Sequence, residues 1–256
     1  MSAIRYSALT LILLAGASRV WADDPPPPMD VWAGKGQLGF LDSQGNTVSE
    51  SLNAALDMTR VDGPWKNALV LLGLYGRSGQ VVSAERYDGR WQTNYDLSPT
   101  IFTFGAAHYE HDMFSGFQYQ ADGSAGLGYK IFNTDKTKLT AQVGVGYQWA
   151  RPELLETNAD GEVEYRVPLA STDNVIATAG LDFSQGLSKS TTLSNKFLTE
   201  IGSADTVLHD QLALTVKMST KLALSLGYQV QDNTNPPVGV KKLDTVATAN
   251  LVYAFP

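Results

Sequence analysis

The 256-residue chain contains no cysteine, which excludes disulfide bonds. If the protein is exported, it is held together in another way. A β-barrel meets that requirement, because its backbone hydrogen bonds close on themselves.

The chain is also short of positive charge and of long apolar runs. Lys and Arg number 19 against 26 Asp and Glu, a formal net charge of −7. This acidity argues against a nucleic-acid partner, which requires a basic surface. The longest apolar stretch, residues 6–17, is too short for a membrane-spanning helix, which needs about 20 residues. A mean hydropathy of −0.13 also fits a membrane barrel, because every second strand residue faces water.

The N-terminus has the three parts of a secretory signal. Residues 1–5 carry a positive charge, residues 6–17 are apolar, and Val20-Trp21-Ala22 fits the small-x-small rule for cleavage. We therefore expect residues 1–22 to be a cleaved signal peptide. Residues 23–30 (DDPPPPMD) are then a Pro-rich periplasmic segment, and residues 31–256 form an outer-membrane β-barrel.

Beyond residue 31, apolar and polar residues alternate in segments of about ten residues, which is the pattern of strands with two unlike faces. In residues 117–131, aromatic, aliphatic and small residues occupy the odd positions, whereas Gln, Asp, Ser, Gly and Lys occupy the even ones. The pattern predicts an all-β fold, a single antiparallel up-and-down transmembrane barrel. We predict twelve strands, at residues 32–41, 48–60, 65–77, 80–94, 99–111, 115–131, 138–150, 173–186, 190–202, 206–217, 221–232 and 243–255.

An even number of strands places both ends of the mature chain on one side of the membrane, which we expect to be periplasmic. Five short turns then lie on that side. The longest connections, residues 151–172 and 232–242, lie on the outer side. Short periplasmic turns and longer external loops are typical of outer-membrane barrels.

A soluble β-sandwich also alternates, but aromatic residues end the apolar faces here, as two membrane interfaces favour. These girdle residues are Trp32, Phe40, Trp65, Tyr75, Phe117, Tyr129, Tyr147, Trp149, Tyr253 and Phe255.

The same alternation predicts which charged side chains line the lumen. They are Lys35, Asp57, Lys66, Arg86, Asp88, Arg90, Glu110, Asp122, Lys130, Asp182, Lys196, Glu200 and Lys217. Buried charges must pair or stay hydrated. Two interpretations remain open: a narrow, weakly selective aqueous path lined by mixed charge, and a salt-bridged interior that fills the barrel. Barrels of eight strands are filled by side chains, and barrels of 16 strands leave an open channel. A barrel of twelve strands falls between the two.

Several stretches resemble the YdiY-like salt-induced outer-membrane protein family: AERY (residues 84–87), YEHDMFSGFQY (109–119), SAGLGYKIFNTDKTKL (124–139), PPVGVKKLDT (236–245) and LVYAF (251–255). The resemblance implies an outer-membrane barrel of uncharacterised activity, linked to salt or acid stress in a Gram-negative envelope. It supplies no catalytic residues. Outer-membrane lipids are the expected surroundings, and the barrel-insertion machinery would read the last strand, which ends in Phe255. Pro256 departs from the usual terminal aromatic residue.

We predict that the protein is not an enzyme and has neither cofactor nor metal, because His108 and His111, three residues apart, lie on opposite faces of a strand. The alternative is a membrane-embedded hydrolase that uses His111, Asp112 and Ser115. Another is a surface-binding or adhesion barrel, acting through external loops that are acidic near Glu153.

Overall fold

The computed structural model describes residues 32–43, 49–78, 81–113, 115–157, 163–203, 205–237 and 240–255. The predicted signal peptide, the Pro-rich segment and Pro256 lie outside the described residues. Among those residues, no helix is long and apolar enough to cross a membrane.

The described residues form thirteen β-strands. Their bounds are β1 Trp32–Ser43, β2 Ser49–Asp62, β3 Trp65–Ser78, β4 Val81–Asp96, β5 Ile101–Asp112, β6 Phe117–Asn133, β7 Thr137–Thr157, β8 Val163–Pro168, β9 Thr172–Gly186, β10 Thr191–Ile201, β11 Thr206–Lys217, β12 Leu222–Asn233 and β13 Leu243–Phe255.

Twelve of these strands close into one antiparallel barrel. Consecutive strands pair in chain order, except that β7 pairs with β9 across the β8 excursion. β1 pairs with β13 and joins the two ends of the sheet. The prediction of a closed twelve-stranded barrel is therefore confirmed.

The seam between β1 and β13 is the shortest pairing in the wall. It has five residue pairs, from Gly34 opposite Phe255 to Leu38 opposite Leu251. Every other pair of neighbouring barrel strands has ten or more. Beyond Leu38, β1 continues in pairing with β2 alone.

The thirteenth strand corrects the prediction of a loop at residues 151–172. β7 runs on to Thr157 and pairs with β8 in a hairpin, Glu153 opposite Pro168 and Leu155 opposite Arg166. The sequence carries a signal for this hairpin, because Asp160-Gly161, a pair typical of tight turns, separates two alternating segments.

The apolar face of the barrel wall points outward, as insertion into a membrane requires. Leu127, Val143 and Val145 are exposed on the outer face, whereas Phe102 and Ile176 are buried on the inner one. Large apolar surfaces of this extent are stable only in an apolar surrounding, so the exterior is that of a transmembrane barrel.

Most predicted girdle residues lie on this exterior. Seven of them are exposed: Phe40, Trp65, Tyr75, Tyr129, Tyr147, Trp149 and Tyr253. Trp32 and Phe255 are half-buried. Phe117 departs from the prediction, because a bulge in β6 places it opposite Asp112 and Pro152. The extra residue interrupts the alternation that Tyr119 and Tyr129 follow.

Candidate functional site

Alternation along the strands puts the thirteen predicted lumen charges on the face opposite the exposed apolar residues. The pairing positions them side by side, with Lys35 opposite Asp57, Asp88 opposite Glu110 and Lys196 opposite Asp182. Lys217 lies at the mouth, opposite Ala223.

These charges are not mixed evenly along the barrel axis. Near the end that carries the short turns, Asp182 and three further lysines, Lys130, Lys138 and Lys196, act electrostatically on Lys66. Lys130 pairs with Asp96 at 2.6 Å, and Lys35 lies 3.4 Å from Asp57. This half of the interior is therefore rich in lysine.

The opposite half holds a compact set of ionisable groups, the His108 cluster, contributed by β4, β5, β6, β10 and β11. Its members are Arg86, Asp88, Arg90, His108, Glu110, Asp122, Glu200 and His209. In the sheet β4, β5 and β6 are neighbours, as are β10 and β11, and each of the five strands supplies at least one inward residue to the cluster.

Arg86 holds the most buried acid of the cluster. Its Nη2 lies 2.7 Å from Oε2 of Glu110, whose side chain is 3% exposed, and 3.8 Å from Oδ2 of Asp88. A buried carboxylate needs a charged or hydrogen-bonding partner, and the guanidinium fork supplies one.

His108 bridges two carboxylates from neighbouring strands. Its Nε2 lies 2.7 Å from Oδ2 of Asp88, and its Nδ1 lies 2.9 Å from Oδ2 of Asp122. Ionised carboxylates accept hydrogen bonds and donate none, so both ring nitrogens carry protons in this arrangement and the ring is a cation.

Sequence reasoning did not include His108 and His209 among the lumen residues. A signal for His108 was present, since it lies two positions before Glu110 and must share its face. His209 shares a face with Val207, which is buried.

One wall of the lumen is dry. Phe102 and Phe104 on β5 and Ile176 on β9 point inward and are almost fully buried. The Phe102 ring lies flat against Gly128 of β6, where a Cβ atom would come within 2.5 Å of its Cε1 and Cε2. Glycine thus lets an aromatic ring pack directly on the inner backbone.

The opposite wall, which we call the amide wall, is different. It consists of inward side chains of β1, β2, β12 and β13, namely Gln37, Asn53, Gln229 and Asn250. All four side chains are half-buried, but the Oδ1 atoms of Asn53 and Asn250 are buried beside Gly39, so the accessible amides are chiefly those of Gln37 and Gln229. Asn250 donates to Oε1 of Gln37 at 3.5 Å across the seam.

Loops narrow the mouth above the His108 cluster. The connection between β12 and β13 reaches the turn between β5 and β6, where Val240 and Pro237 lie against Gly116. Gly116 has a positive φ of 75°, which a side chain would strain. In the β7–β8 hairpin, Arg166 pairs with buried Glu153 at 2.9 Å. The sequence suggested a solvated loop residue at this position, but Glu153 is buried and paired.

The proposed hydrolase residues are not arranged as a catalytic set. Ser115 Oγ donates to the backbone carbonyl of Asp112 at 2.9 Å. Nδ1 of His111 lies 2.5 Å from the backbone carbonyl of Gln118, and its ring stacks on Tyr87. Among the contacts described, none joins His111 to Ser115, whereas a nucleophile needs its base within reach.

The chain is similar to several known proteins. A family model described as "Protein of unknown function, DUF481" matches residues 36–255. The chain is similar to the uncharacterized protein YdiY of Escherichia coli (strain K12), with 25% identity over 241 residues, 91% of this chain and 87% of the relative. The resemblance to a YdiY-like family is thus confirmed.

Two solved barrels are also similar to the chain. The translocator domain of the autotransporter NalP from Neisseria meningitidis has 13% identity and a TM-score of 0.46, covering 88% of this chain and 87% of that one. NanC porin has 10% identity and a TM-score of 0.46, covering 88% of this chain and 100% of that one.

Proposed function

The chain belongs to the DUF481 family of proteins of unknown function, and from that premise and the interior described above we propose that it is a non-enzymatic outer-membrane barrel providing a narrow path for small polar solutes. The path runs along the amide wall. The dry wall and the His108 cluster fill the rest of the lumen.

The observation that carries this proposal is the contrast between the two walls. Inward Phe102 and Glu110 are at most 3% exposed, whereas inward Gln37 and Gln229 are half-buried and retain accessible surface. Neutral amides can replace the hydration of a passing solute without trapping it, which conduction requires. Lysines near one end and carboxylates near the other make the path weakly selective for charge.

Planar-bilayer recording of the purified barrel tests the proposal. We expect small, discrete conductance steps in the wild-type protein. Gln229→Trp places a bulky ring on the amide wall and should lower the step size by about half or more, because a constriction governs flow through a narrow pore.

Leu226→Trp is the matched control, since Leu226 lies on the same strand and is exposed on the outer face. It should leave the steps unchanged. Absence of steps from the wild-type barrel over a range of salts would remove the channel, leaving a structural protein of the stressed envelope.

The proposal includes a sidedness. The end with the short turns faces the periplasm, together with both ends of the mature chain, and the β7–β8 hairpin faces outward. Membrane lipids cover the apolar band, and the insertion machinery reads the last strand, ending in Phe255. The asymmetry of connection lengths supports this orientation.

Single cysteines test the sidedness cleanly because the chain has none of its own. In intact cells, a membrane-impermeant maleimide should label Tyr165→Cys on the hairpin and leave Ser188→Cys in a short turn unlabelled. Both should react after the outer membrane is permeabilised. If only Ser188→Cys is labelled in intact cells, the orientation of the barrel is the reverse of the one proposed.

A further inference from the structure

Glu200 is a carboxylate buried beside other acids of the His108 cluster. Its side chain is 6% exposed, and its ion-pair contact among the described residues is Nε2 of His209, 4.0 Å from Oε2. The neighbouring acids Asp122 and Glu110 repel its charge. Buried carboxylates are otherwise paired or coordinate metals, so this position calls for a cation.

The charge balance of the His108 cluster indicates how much positive charge is needed. When a metal ion replaces the Nδ1 proton of His108, both imidazoles are neutral, and four carboxylates (Asp88, Glu110, Asp122 and Glu200) face the guanidinium groups of Arg86 and Arg90. Arg86 is engaged with Glu110 and Asp88. The deficit of two positive charges is that of one divalent cation, and it lies on the side of Asp122 and Glu200.

The ligand atoms already converge on that side. One nitrogen of His108 and one oxygen each of Asp122 and Glu200 lie within 4.8 Å of one another. We propose that His108, Asp122 and Glu200 form a binding site for a divalent transition-metal ion of the zinc class, and that His209, whose Nε2 lies 4.0 Å from Oε2 of Glu200, supplies a fourth ligand. With His209 included, the ligands are two imidazoles and two carboxylates. Such a set suits the tetrahedral coordination of these ions.

The surroundings of His108 support its role as a ligand through Nδ1. Its Nε2 proton is held by Asp88 at 2.7 Å, and Asp88 in turn lies 3.8 Å from Arg86. A carboxylate on the far nitrogen fixes the tautomer and orientation of a metal-binding histidine. The metal would take the position of the proton that Nδ1 now shares with Asp122.

A second group, Asp88, His108 and Glu110, also has its ligand atoms close together. The carboxylates of this group already have a positively charged partner, because Arg86 lies 2.7 Å from Glu110. The two groups share His108, so one ion at most can use it through Nδ1, and the charge deficit selects the site with Glu200.

The test uses the full barrel in detergent micelles, stripped with a chelator and then titrated with zinc chloride. We expect about one zinc ion per barrel to remain after desalting, as measured by elemental analysis and by calorimetry. Glu200→Gln keeps the shape of the side chain and should weaken binding at least about tenfold. Asp182→Asn, an inward carboxylate in the lysine-rich half, should bind zinc as the wild type does.

Cobalt substitution gives a readout that does not depend on the stability of one variant. A wild-type barrel loaded with Co²⁺ should show visible d–d absorption, and His209→Asn should change or remove it while still migrating as a folded barrel. The proposal is overturned if wild-type protein retains no zinc. It is equally overturned if Glu200→Gln and Asp182→Asn bind alike. Neither measurement involves conduction, so each result stands apart from the channel proposal.

Discussion

Replacing Arg86 by methionine is expected to destabilise the barrel by about 3 kcal/mol, because it leaves a buried acid without its partner. Glu110 is 3% exposed, and Nη2 of Arg86 is 2.7 Å from its Oε2. Methionine fills much of the same space, so the loss is mainly electrostatic. Urea unfolding in detergent or lipid measures the change in free energy.

A second substitution separates the lost ion pair from lost packing. In the double variant Arg86→Met with Glu110→Gln, no charge remains stranded, so most of the stability should return. Lys130→Met is the matched control, since Lys130 and Asp96 form an ion pair that is 23% and 42% exposed. Exposed pairs contribute about 1 kcal/mol or less. Equal losses from Arg86→Met and Lys130→Met would contradict the burial argument.

The fold could be predicted from the sequence because the side chains of a barrel strand alternate between two faces, with a period of only two residues. Once every second residue is apolar over ten positions, the two faces are determined, and the thirteen inward charges follow by counting. Twelve strands and the pairing of β1 with β13 needed no knowledge of distant contacts.

Which inward residues touch could not be predicted in the same way. The contact of His108 with Asp122 depends on the register of β5 against β6, which hairpin geometry and a bulge set together. The pairing of Glu200 with His209 likewise depends on β10 and β11. A two-residue shift of either strand would separate these groups while keeping the apolar residues on the outer face.

Local irregularities account for the two outright errors. The bulge in β6 adds one residue, and Phe117 therefore leaves the face that simple counting assigns. The sequence predicts a loop at residues 151–172, where acidic residues suggest solvent, whereas the structure forms the β7–β8 hairpin, in which Arg166 neutralises Glu153. Neither feature changes the number of barrel strands.

Whether the lumen is filled or open depends on packing volume, which alternation does not encode. The aromatic pair Phe102 and Phe104 can lie flat on the wall because Gly128 and Gly126 stand opposite on β6. The interior is therefore filled on one side by fitted surfaces, and the amide wall keeps the remaining space.

Gly128→Val should be as damaging as the loss of Arg86, and for a steric reason. The Cε1 and Cε2 atoms of Phe102 would lie 2.5 Å from an added Cβ, and the ring is buried and cannot move aside. Overpacking of a fitted interior costs roughly 3 kcal/mol when neighbours cannot relax. The measurements are urea unfolding and the shift in gel mobility between folded and heated protein.

Gly123→Val is the control on the same strand, because Gly123 points outward and the nearest heavy atom to an added Cβ is the carbonyl oxygen of Ala106, 3.9 Å away. Valine also favours strands, so this variant should be neutral or slightly more stable. Adding Phe102→Ala to Gly128→Val should recover part of the loss by removing the ring. If Gly128→Val is as stable as Gly123→Val, the ring does not pack on the β6 backbone, and the dry wall loses its physical basis.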